Sequence, residues 1–380
     1  MKIIDLFCGC GGMSLGFQNA GFNITNAFDS WDCAIECYSS NLNHPAIKID
    51  LSDSVSAIKI IKSKKPDIII GGPPCQDFST AGNRLEGHRA SLTLSFAHIV
   101  AGVKPHFFVM ENVASISKSE TYNQAVEIFR TAGYGITEKI LDASYCGVPQ
   151  KRKRFFCIGE FNGNDGFLEP ILSINQSPFP LTIREYFENE GHDLLFEYYY
   201  RHPRSYTRRA IFSINDPSPT VRGVNRPKPR EYVQHPGDLE NPENVRSLTY
   251  SERAMIQTFP KNYCWSGNLA DIEQMIGNAV PVKLAEFVAK CLFKYILGET
   301  NSQHVEFIDW LVKEKQRSLH EASDILSKVS KAHKILDFQN CDFNTYIIRL
   351  SSADQFLNIV PSARSQIKTS LKLYFEYISL

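Results

Sequence analysis

The clearest chemical signal in the sequence is a cysteine in a stiff loop that follows an apolar run. Cys75 lies in Gly71-Gly-Pro-Pro-Cys-Gln-Asp-Phe-Ser79, directly after the run Asp67 to Ile70. Two prolines restrict the backbone there and fix where the cysteine points. A lone cysteine is usually a small buried hydrophobic residue. This one leaves the end of a predicted strand, where ligands bind in open α/β sheets, so we predict that Cys75 is a nucleophile.

A carboxylate ends another apolar run. The segment Phe107-Phe-Val-Met-Glu-Asn-Val113 predicts a buried strand that carries Glu111 near its end. We expect Glu111 at the same sheet edge as the Cys75 loop, half sheltered from water. Shelter raises the pKa of a carboxyl group, so Glu111 is a candidate proton carrier. An exposed strand-end glutamate is the alternative.

The first predicted strand runs into a glycine-rich turn and then into a helix. The turn contains Phe7, Gly9, Gly11 and Gly12. Glycines there let the backbone approach a nucleotide-like ligand at the carboxyl end of the strand. A tight turn without a ligand is the alternative.

Two further strand ends extend this candidate ligand site. Asp29, with Ser30 beside it, ends the second strand about twenty residues after the glycine turn, where a carboxylate can accept hydrogen bonds from ribose hydroxyls. A third strand end, near Asp50 and Leu51, offers an acceptor and an apolar wall for an adenine ring. We therefore predict a nucleotide-like cofactor rather than a phosphate-binding P-loop, whose sequence does not occur.

A basic cluster precedes a further apolar strand. Arg152 and Arg154 lie in Gln150-Lys-Arg-Lys-Arg154, so one or both can point at a substrate base or its phosphate. A solvated basic turn is the alternative.

The alternation of short β-rich runs with helical patterns predicts an α/β fold with a mainly parallel sheet. The segment from about Phe161 to Asn244 is rich in Pro, Asn, Tyr and Arg and has no long helical period, whereas helical patterns return after Arg246. We predict a catalytic domain at 1–165 plus 246–299, a loop-rich domain at 166–245 and a helical extension at 300–380. The predicted strands are Lys2–Phe7, Asn23–Phe28, Pro66–Ile70, His106–Met110, Glu138–Asp142 and Arg154–Gly159.

Composition excludes several classes of protein. The chain has 380 residues, of which 43% are hydrophobic, and its formal net charge is zero. No apolar run is long enough to span a membrane, and the acidic, glycine-rich N-terminus is unlike a signal peptide, so we expect a cytoplasmic protein. The ten cysteines include no C-x-x-C pair, so we expect no metal site.

These motifs together resemble those of the DNA cytosine-5 methyltransferase family. The resemblance extends from Lys2 to about Leu297, and six motifs occur in the family's order. They are the glycine motif at 7–12, Pro-Pro-Cys-Gln at 73–76, Glu-Asn-Val at 111–113, Gln-Lys-Arg-Lys-Arg at 150–154, Gln-Thr-Phe-Pro at 257–260 and Gly-Asn-Ala-Val-Pro at 277–281.

The resemblance implies a Rossmann-like sheet that binds S-adenosylmethionine and a Cys75 thiolate that adds to C6 of cytosine. It assigns Glu111 to N3 of the base and Arg154 to its O2. It also places Pro73 and Asn278 in the cofactor pocket. No other His or carboxylate in the motifs stands out as the base that removes the C5 proton.

The same resemblance implies double-stranded DNA as partner, with the target base flipped out of the stack. The loop from Ser79 to Leu92, which includes Arg89, is expected to close over that base; it reads Arg89-Ala-Ser-Leu92 where the family usually has Arg-Gly-Thr-Leu. Residues 201–230 carry eight Lys or Arg against one Asp. Arg222 and Arg226 are our candidates for DNA contact within this stretch.

Three rival functions use related folds. An RNA methyltransferase of the same family would show Pro-Pro-Cys-Gln-Pro-Phe and a Cys-Phe-Thr, whereas Asp77 stands here. An amino-group methyltransferase would have an aromatic residue in place of Cys75, and a noncatalytic relative would not need Cys75 and Glu111. We therefore predict a monomeric DNA enzyme of a bacterial restriction-modification system, with a cognate restriction endonuclease as functional partner.

Overall fold

The computed structural model describes residues 1–74, 90–192, 194, 196–203, 205, 207–298, 302–337 and 341–379, without the side chains of 90, 91, 302 and 303. Its strands are β1 Lys2–Leu6, β2 Asn23–Asp29, β3 Ala46–Lys48, β4 Ile68–Gly71, β5 Phe107–Val113, β6 Tyr134–Asp142, β7 Gln150–Lys151, β8 Lys153–Phe161, β9 Tyr198–Tyr200, β10 Ile211–Ser213 and β11 Ser218–Pro219.

Its helices up to residue 296 are α1 Gly12–Asn19, α2 Asp32–Asn41, α3 Ser54–Lys64, α4 Ala90–Val103, α5 Glu120–Thr131, α6 Glu169–Asn175, α7 Ile183–Asn189, α8 Tyr250–Ile256, α9 Leu269–Asn278 and α10 Val282–Ile296. Five more follow: α11 Ser302–Lys313, α12 Leu319–Ile335, α13 Phe343–Ser352, α14 Asp354–Leu357 and α15 Pro361–Ile378. None of the helices in the described residues is both long and apolar enough to cross a membrane.

A seven-stranded sheet confirms the predicted α/β fold. The strand order is β3-β2-β1-β4-β5-β8-β6, with β8 antiparallel to both of its neighbours and the pairs from β3 to β5 parallel. The central strand β4 is buried throughout and reads Ile-Ile-Ile-Gly, as expected of a strand covered on both faces.

Several boundaries differ from the sequence expectation, among them the start of β6 and the course of the chain after α9. Strand β6 begins at Tyr134 rather than Glu138, because Tyr134 and Ile136 pack in the sheet core. The helical region predicted after Arg246 contains a break, since α9 ends at Asn278 and Pro281 stands immediately before α10. This break leaves the backbone of residues 277–280 next to the first glycine turn.

The chain divides into two compact units. The first contains Met1–Gly163 and Pro180–Ala289, and the second contains Asn164–Phe179 and Lys290–Leu380. The predicted boundaries differ from this division because α6 packs against α12 of the C-terminal helices, for instance through the Ser327 hydroxyl, which donates to the Ser173 carbonyl at 3.2 Å. A separate loop-rich domain at 166–245 stays a prediction.

The second unit has an apolar core of its own. Buried residues from α11, α12, α13 and α15 meet there, among them Phe307, Leu326, Tyr346 and Leu371, each with no exposed surface. The side chain of Ser318 caps the N-terminus of α12 and forms a reciprocal pair of bonds with Glu321.

Candidate active site

A cavity of about 680 Å³ opens at the carboxyl ends of the parallel strands of the first unit. It brings together residues that the sequence placed on separate strand ends. Of the predicted site residues, the cavity is lined by Phe7, Gly9, Gly12, Asp29, Ser30, Asp50, Leu51, Pro73, Glu111, Arg154 and Asn278.

The glycine turn forms one wall through its backbone. Gly11, which caps α1, has a φ of 93°, a conformation that favours glycine, and does not itself line the cavity. Gly12 allows a close approach, since a Cβ there would lie 2.4 Å from the Val280 carbonyl oxygen. The turn is therefore packed directly against the segment between α9 and α10.

Asp29 is held by the backbone at the end of β2. Its Oδ2 accepts the Gly9 N–H at 2.8 Å, and its Oδ1 accepts those of Ser30 and Trp31 at 2.7 and 2.9 Å. The carboxylate thus joins the glycine turn to the end of β2. These bonds fix its orientation, so its remaining lone pairs can accept a hydrogen bond from a ligand hydroxyl.

Three further predicted residues line the cavity, one acidic and two apolar. Leu51 is almost fully buried, Pro73 also lines the cavity, and Asp50 Oδ1 accepts the Ser52 N–H at 2.9 Å. On the side of α9, the Asn278 side chain is oriented by Gln274, whose amide donates to Asn278 Oδ1 at 2.8 Å.

Glu111 and Arg154 form a sheltered ion pair that faces the cavity. Arg154 Nε lies 2.9 Å from Glu111 Oε1, and the two side chains are 14% and 9% exposed. The antiparallel pairing of β5 with β8 sets Val113 opposite Arg154 and so brings the two together. Burial raises the pKa of Glu111, while the nearby Arg154 and Arg152 charges oppose that shift.

The loop that leads to Cys75 is anchored beside this pair. Asn112 Nδ2 donates to the Pro73 carbonyl at 2.9 Å, and a Cβ on Gly72 would lie 3.3 Å from Glu111 Oε2. Cys75 itself and Arg89 lie outside the described residues, so their roles stay predictions. The two described cysteines that line the cavity, Cys8 and Cys10, are buried, which raises the pKa of each thiol and keeps it protonated.

Arg152 occupies a different place from the predicted one. Its side chain does not line the cavity, and the guanidinium donates to the carbonyls of Val221 and Gly277 at 2.8 Å and of Ala279 at 3.1 Å. Arg152 precedes β8, which begins at Lys153, so the rule that residues two apart on a strand share a face does not place Arg152 beside Arg154. The expectation that Arg152 points at the substrate is therefore corrected: both of its Nη atoms donate to backbone carbonyls.

Arg222 and Arg226 lie apart from the cavity. Both line a small second pocket with Arg201, His202 and Arg253. The Arg222 guanidinium donates to the His202 carbonyl, and Arg226 is exposed. Their contact with DNA stays a prediction.

Sequence reasoning missed several residues that line the cavity, among them Trp31 and Asn112. Trp31 lines the cavity next to Asp29 and Ser30, and an aromatic residue so close to an acidic strand end was an available signal. Asn112 belongs to the Glu-Asn-Val motif, but its bond to Pro73 joins two strand ends that only the folded sheet brings together.

Comparisons with known proteins identify a family and several relatives. A family model described as C-5 cytosine-specific DNA methylase matches residues 1–294. Type II methyltransferase M.HindV of Haemophilus influenzae is 53% identical over 298 residues, which cover 78% of this chain and 97% of that protein. Type II methyltransferase M.HgiDI of Herpetosiphon aurantiacus is 51% identical over 297 residues, covering 78% and 95%.

A solved structure shows the same fold. The S. pombe Dnmt2 methyltransferase superposes with a TM-score of 0.59 at 18% identity and covers 78% of this chain and 99% of its own. At that identity the likeness concerns the fold alone.

Proposed function

We propose that Cys75, Glu111 and Arg154 carry out the reaction of this chain in the described cavity. The premise is that the chain belongs to the C-5 cytosine-specific DNA methylase family. The chain is a DNA (cytosine-5-)-methyltransferase (EC 2.1.1.37), and its family uses S-adenosylmethionine as methyl donor. The observation that carries the proposal is the sheltered Glu111–Arg154 pair, which shares one cavity with the glycine turn and with the backbone leading to Cys75.

The residues of the cavity fit the donor. Asp29 and Asp50 offer acceptors to ribose hydroxyls, Leu51 and Trp31 offer apolar surface to an adenine ring, and the Phe7–Gly12 turn offers backbone groups. When bound, S-adenosylmethionine supplies an electrophilic methyl group on a sulfonium. Ser30, Pro73 and Asn278 complete the proposed pocket.

Carbon 5 of cytosine is a weak nucleophile, and the protein residues must activate it. The Cys75 thiolate forms a bond to C6, which places electron density on C5. Glu111 protonates or hydrogen-bonds N3 and thereby stabilises the charge that develops in the ring. Arg154, held by its pair with Glu111, donates to O2. After methylation the C5 proton passes to water, the electrons of the C5–H bond restore the C5–C6 double bond, and the C6–sulfur bond breaks so that Cys75 leaves as thiolate.

The substrate is DNA, and C6 of a stacked cytosine cannot meet a protein thiol. We propose that the target base is flipped into the cavity, that the Arg89 loop closes over it, and that Arg222 and Arg226 contact the surrounding duplex.

The biological role follows from relatives. Both type II methyltransferases align along nearly their whole length. We propose that this protein, acting as a monomer on cytoplasmic DNA of a bacterium, protects a short sequence from a cognate restriction endonuclease.

Methyl transfer tests the proposal. The protein is incubated with tritiated S-adenosylmethionine and plasmid DNA or transfer RNA, and the product is sequenced for 5-methylcytosine. We expect 5-methylcytosine at one short DNA sequence, its loss in Cys75→Ser and its retention in Cys264→Ser, which alters an exposed cysteine. Label on RNA alone, or on amino nitrogens, would overturn it.

A further inference from the structure

The buried guanidinium of Arg152 joins two segments that serve different ligands. Arg152 is 1% exposed. We call residues 221–226, which include Arg222 and Arg226, the recognition segment, and residues 277–280 the cavity wall. The Arg152 guanidinium donates to the Val221 carbonyl at the start of the recognition segment. It also donates to the carbonyls of Gly277 and Ala279 in the cavity wall. One side chain therefore connects the proposed DNA-contact segment to the proposed cofactor pocket.

Two glutamines form a second connection between the same segments. Gln150 Oε1 accepts the Val221 N–H at 2.8 Å, and Gln150 Nε2 donates to Gln257 Oε1 at 2.8 Å. Gln257 Nε2 in turn donates to Ala279 O at 3.2 Å and to Ile276 O. Both glutamines have no exposed surface, so these bonds are made away from water, where losing a partner is costly.

The two segments also touch through backbone. A Cβ on Gly277 would lie 2.0 Å from the Gly223 nitrogen, so no side chain separates them. Arg253, buried with its ion-pair partner Glu273, donates to the Arg222 carbonyl. A shift of the recognition segment must therefore be accompanied by a shift of the cavity wall.

We propose that Arg152 is a positioning residue that couples DNA binding to cofactor binding, with Gln150 and Gln257 supporting it. The inference rests on the proposed function, because it takes residues 221–226 as the DNA contact. A ligand that orders one segment lowers the free-energy cost of ordering the other segment. DNA and cofactor therefore tighten each other's binding by the same factor.

The test is a binding cycle without turnover. The Kd of S-adenosylhomocysteine is measured by calorimetry without DNA and with a saturating duplex that carries the site identified by 5-methylcytosine sequencing. For the unaltered protein we expect the Kd to fall by about 10-fold when the duplex is bound. In Arg152→Lys, which keeps the charge but offers fewer donors, and in Gln257→Leu, we expect the ratio of the two Kd values to fall to within about 2-fold of one.

Lys151→Gln is the matched control, because this neighbouring side chain is exposed and makes none of these bonds to Val221, Gly277 or Ala279; it should keep the full ratio. Two variants are used so that failure of one to fold leaves the other decisive. An unchanged ratio in the folded variants, or no coupling in the unaltered protein, would overturn the proposal. Failure of the proposed function would appear separately, as absence of 5-methylcytosine in the DNA.

Discussion

At the residue scale, two buried carboxyl groups line the cavity, and the proposed chemistry depends on one of them, Glu111. Glu111 is paired with Arg154, whereas Asp5 accepts a bond from the Ser14 hydroxyl at 2.7 Å. The sequence predicted Glu111 because a carboxylate ended an apolar strand. It did not predict the raised pKa of Asp5, which depends on the burial of this side chain in the folded protein.

Replacing Glu111 by Gln should lower kcat by about 10²- to 10³-fold while Kd for DNA changes little. The amide keeps the shape of the side chain but cannot give a proton to N3, and it leaves Arg154 without its ion pair. Single-turnover methylation and DNA binding would be measured together. Glu127→Gln, on the exposed face of α5, is the control; an unchanged single-turnover rate in Glu111→Gln would contradict this role.

Asp5 should make stability depend on pH. Burial raises its pKa from 3.8 to about 7, although the Ser14 hydrogen bond opposes the shift. Between these two values the folded protein holds a proton that the unfolded chain releases, so the free energy of unfolding falls as pH rises and the effect saturates above about 7. The free energy of unfolding of Asp5→Asn, relative to that of the unaltered protein, should therefore rise by about 3 kcal/mol between pH 5 and pH 8. Urea unfolding at both pH values measures this gain, and a constant difference would refute it.

At the element scale, strand ends and their turns were predictable, but their long-range partners were not. Apolar runs followed by Gly, Pro or carboxylate residues identified β1, β4 and β5. The bonds of Arg152 reach carbonyls 69 to 127 residues away, and backbone carbonyls leave no mark in a sequence. For that reason Arg152 was wrongly expected to face the substrate.

The contact of α1 with the cavity wall should depend on Gly12. Gly12→Ala places a Cβ against the Val280 carbonyl, so either the turn or residues 277–280 must move. We expect the Kd of S-adenosylhomocysteine to rise by at least about 10-fold, since a misplacement near 1 Å can cost about 10²-fold. Calorimetry measures the Kd, with Gln18→Ala on the exposed side of the same helix as control. Equal Kd values for the two variants would exclude this role.

At the scale of the whole molecule, residues 164–179 belong with the C-terminal helices rather than with the loop-rich region. The sequence placed 166–179 in the loop-rich domain at 166–245, because Pro and Asn residues obscure the short helix α6. The family model matches residues 1–294, so the helices from α11 onward lie beyond that match.

Hydrogen exchange can test this division. Leu326 is fully buried in the core of the second unit, so Leu326→Ala should destabilise it by about 2–5 kcal/mol. We expect faster amide exchange in α6 together with α12 and α15, and unchanged exchange in β1 and β4. Lys313→Ala, at an exposed position, should change neither set. If α6 kept its protection in Leu326→Ala, its assignment to the second unit would be wrong.

The central claim is that Cys75 attacks C6 of a flipped cytosine, and covalent trapping tests it most directly. A duplex in which 5-fluorocytosine replaces the target base cannot lose a C5 proton, so the bond between sulfur and C6 should persist. The complex is formed with S-adenosylmethionine, digested and analysed by mass spectrometry. We expect the modified nucleotide on the peptide that contains Cys75 and no adduct in Cys75→Ser. An adduct on another cysteine, or methylation by Cys75→Ser at the normal rate, would contradict the account.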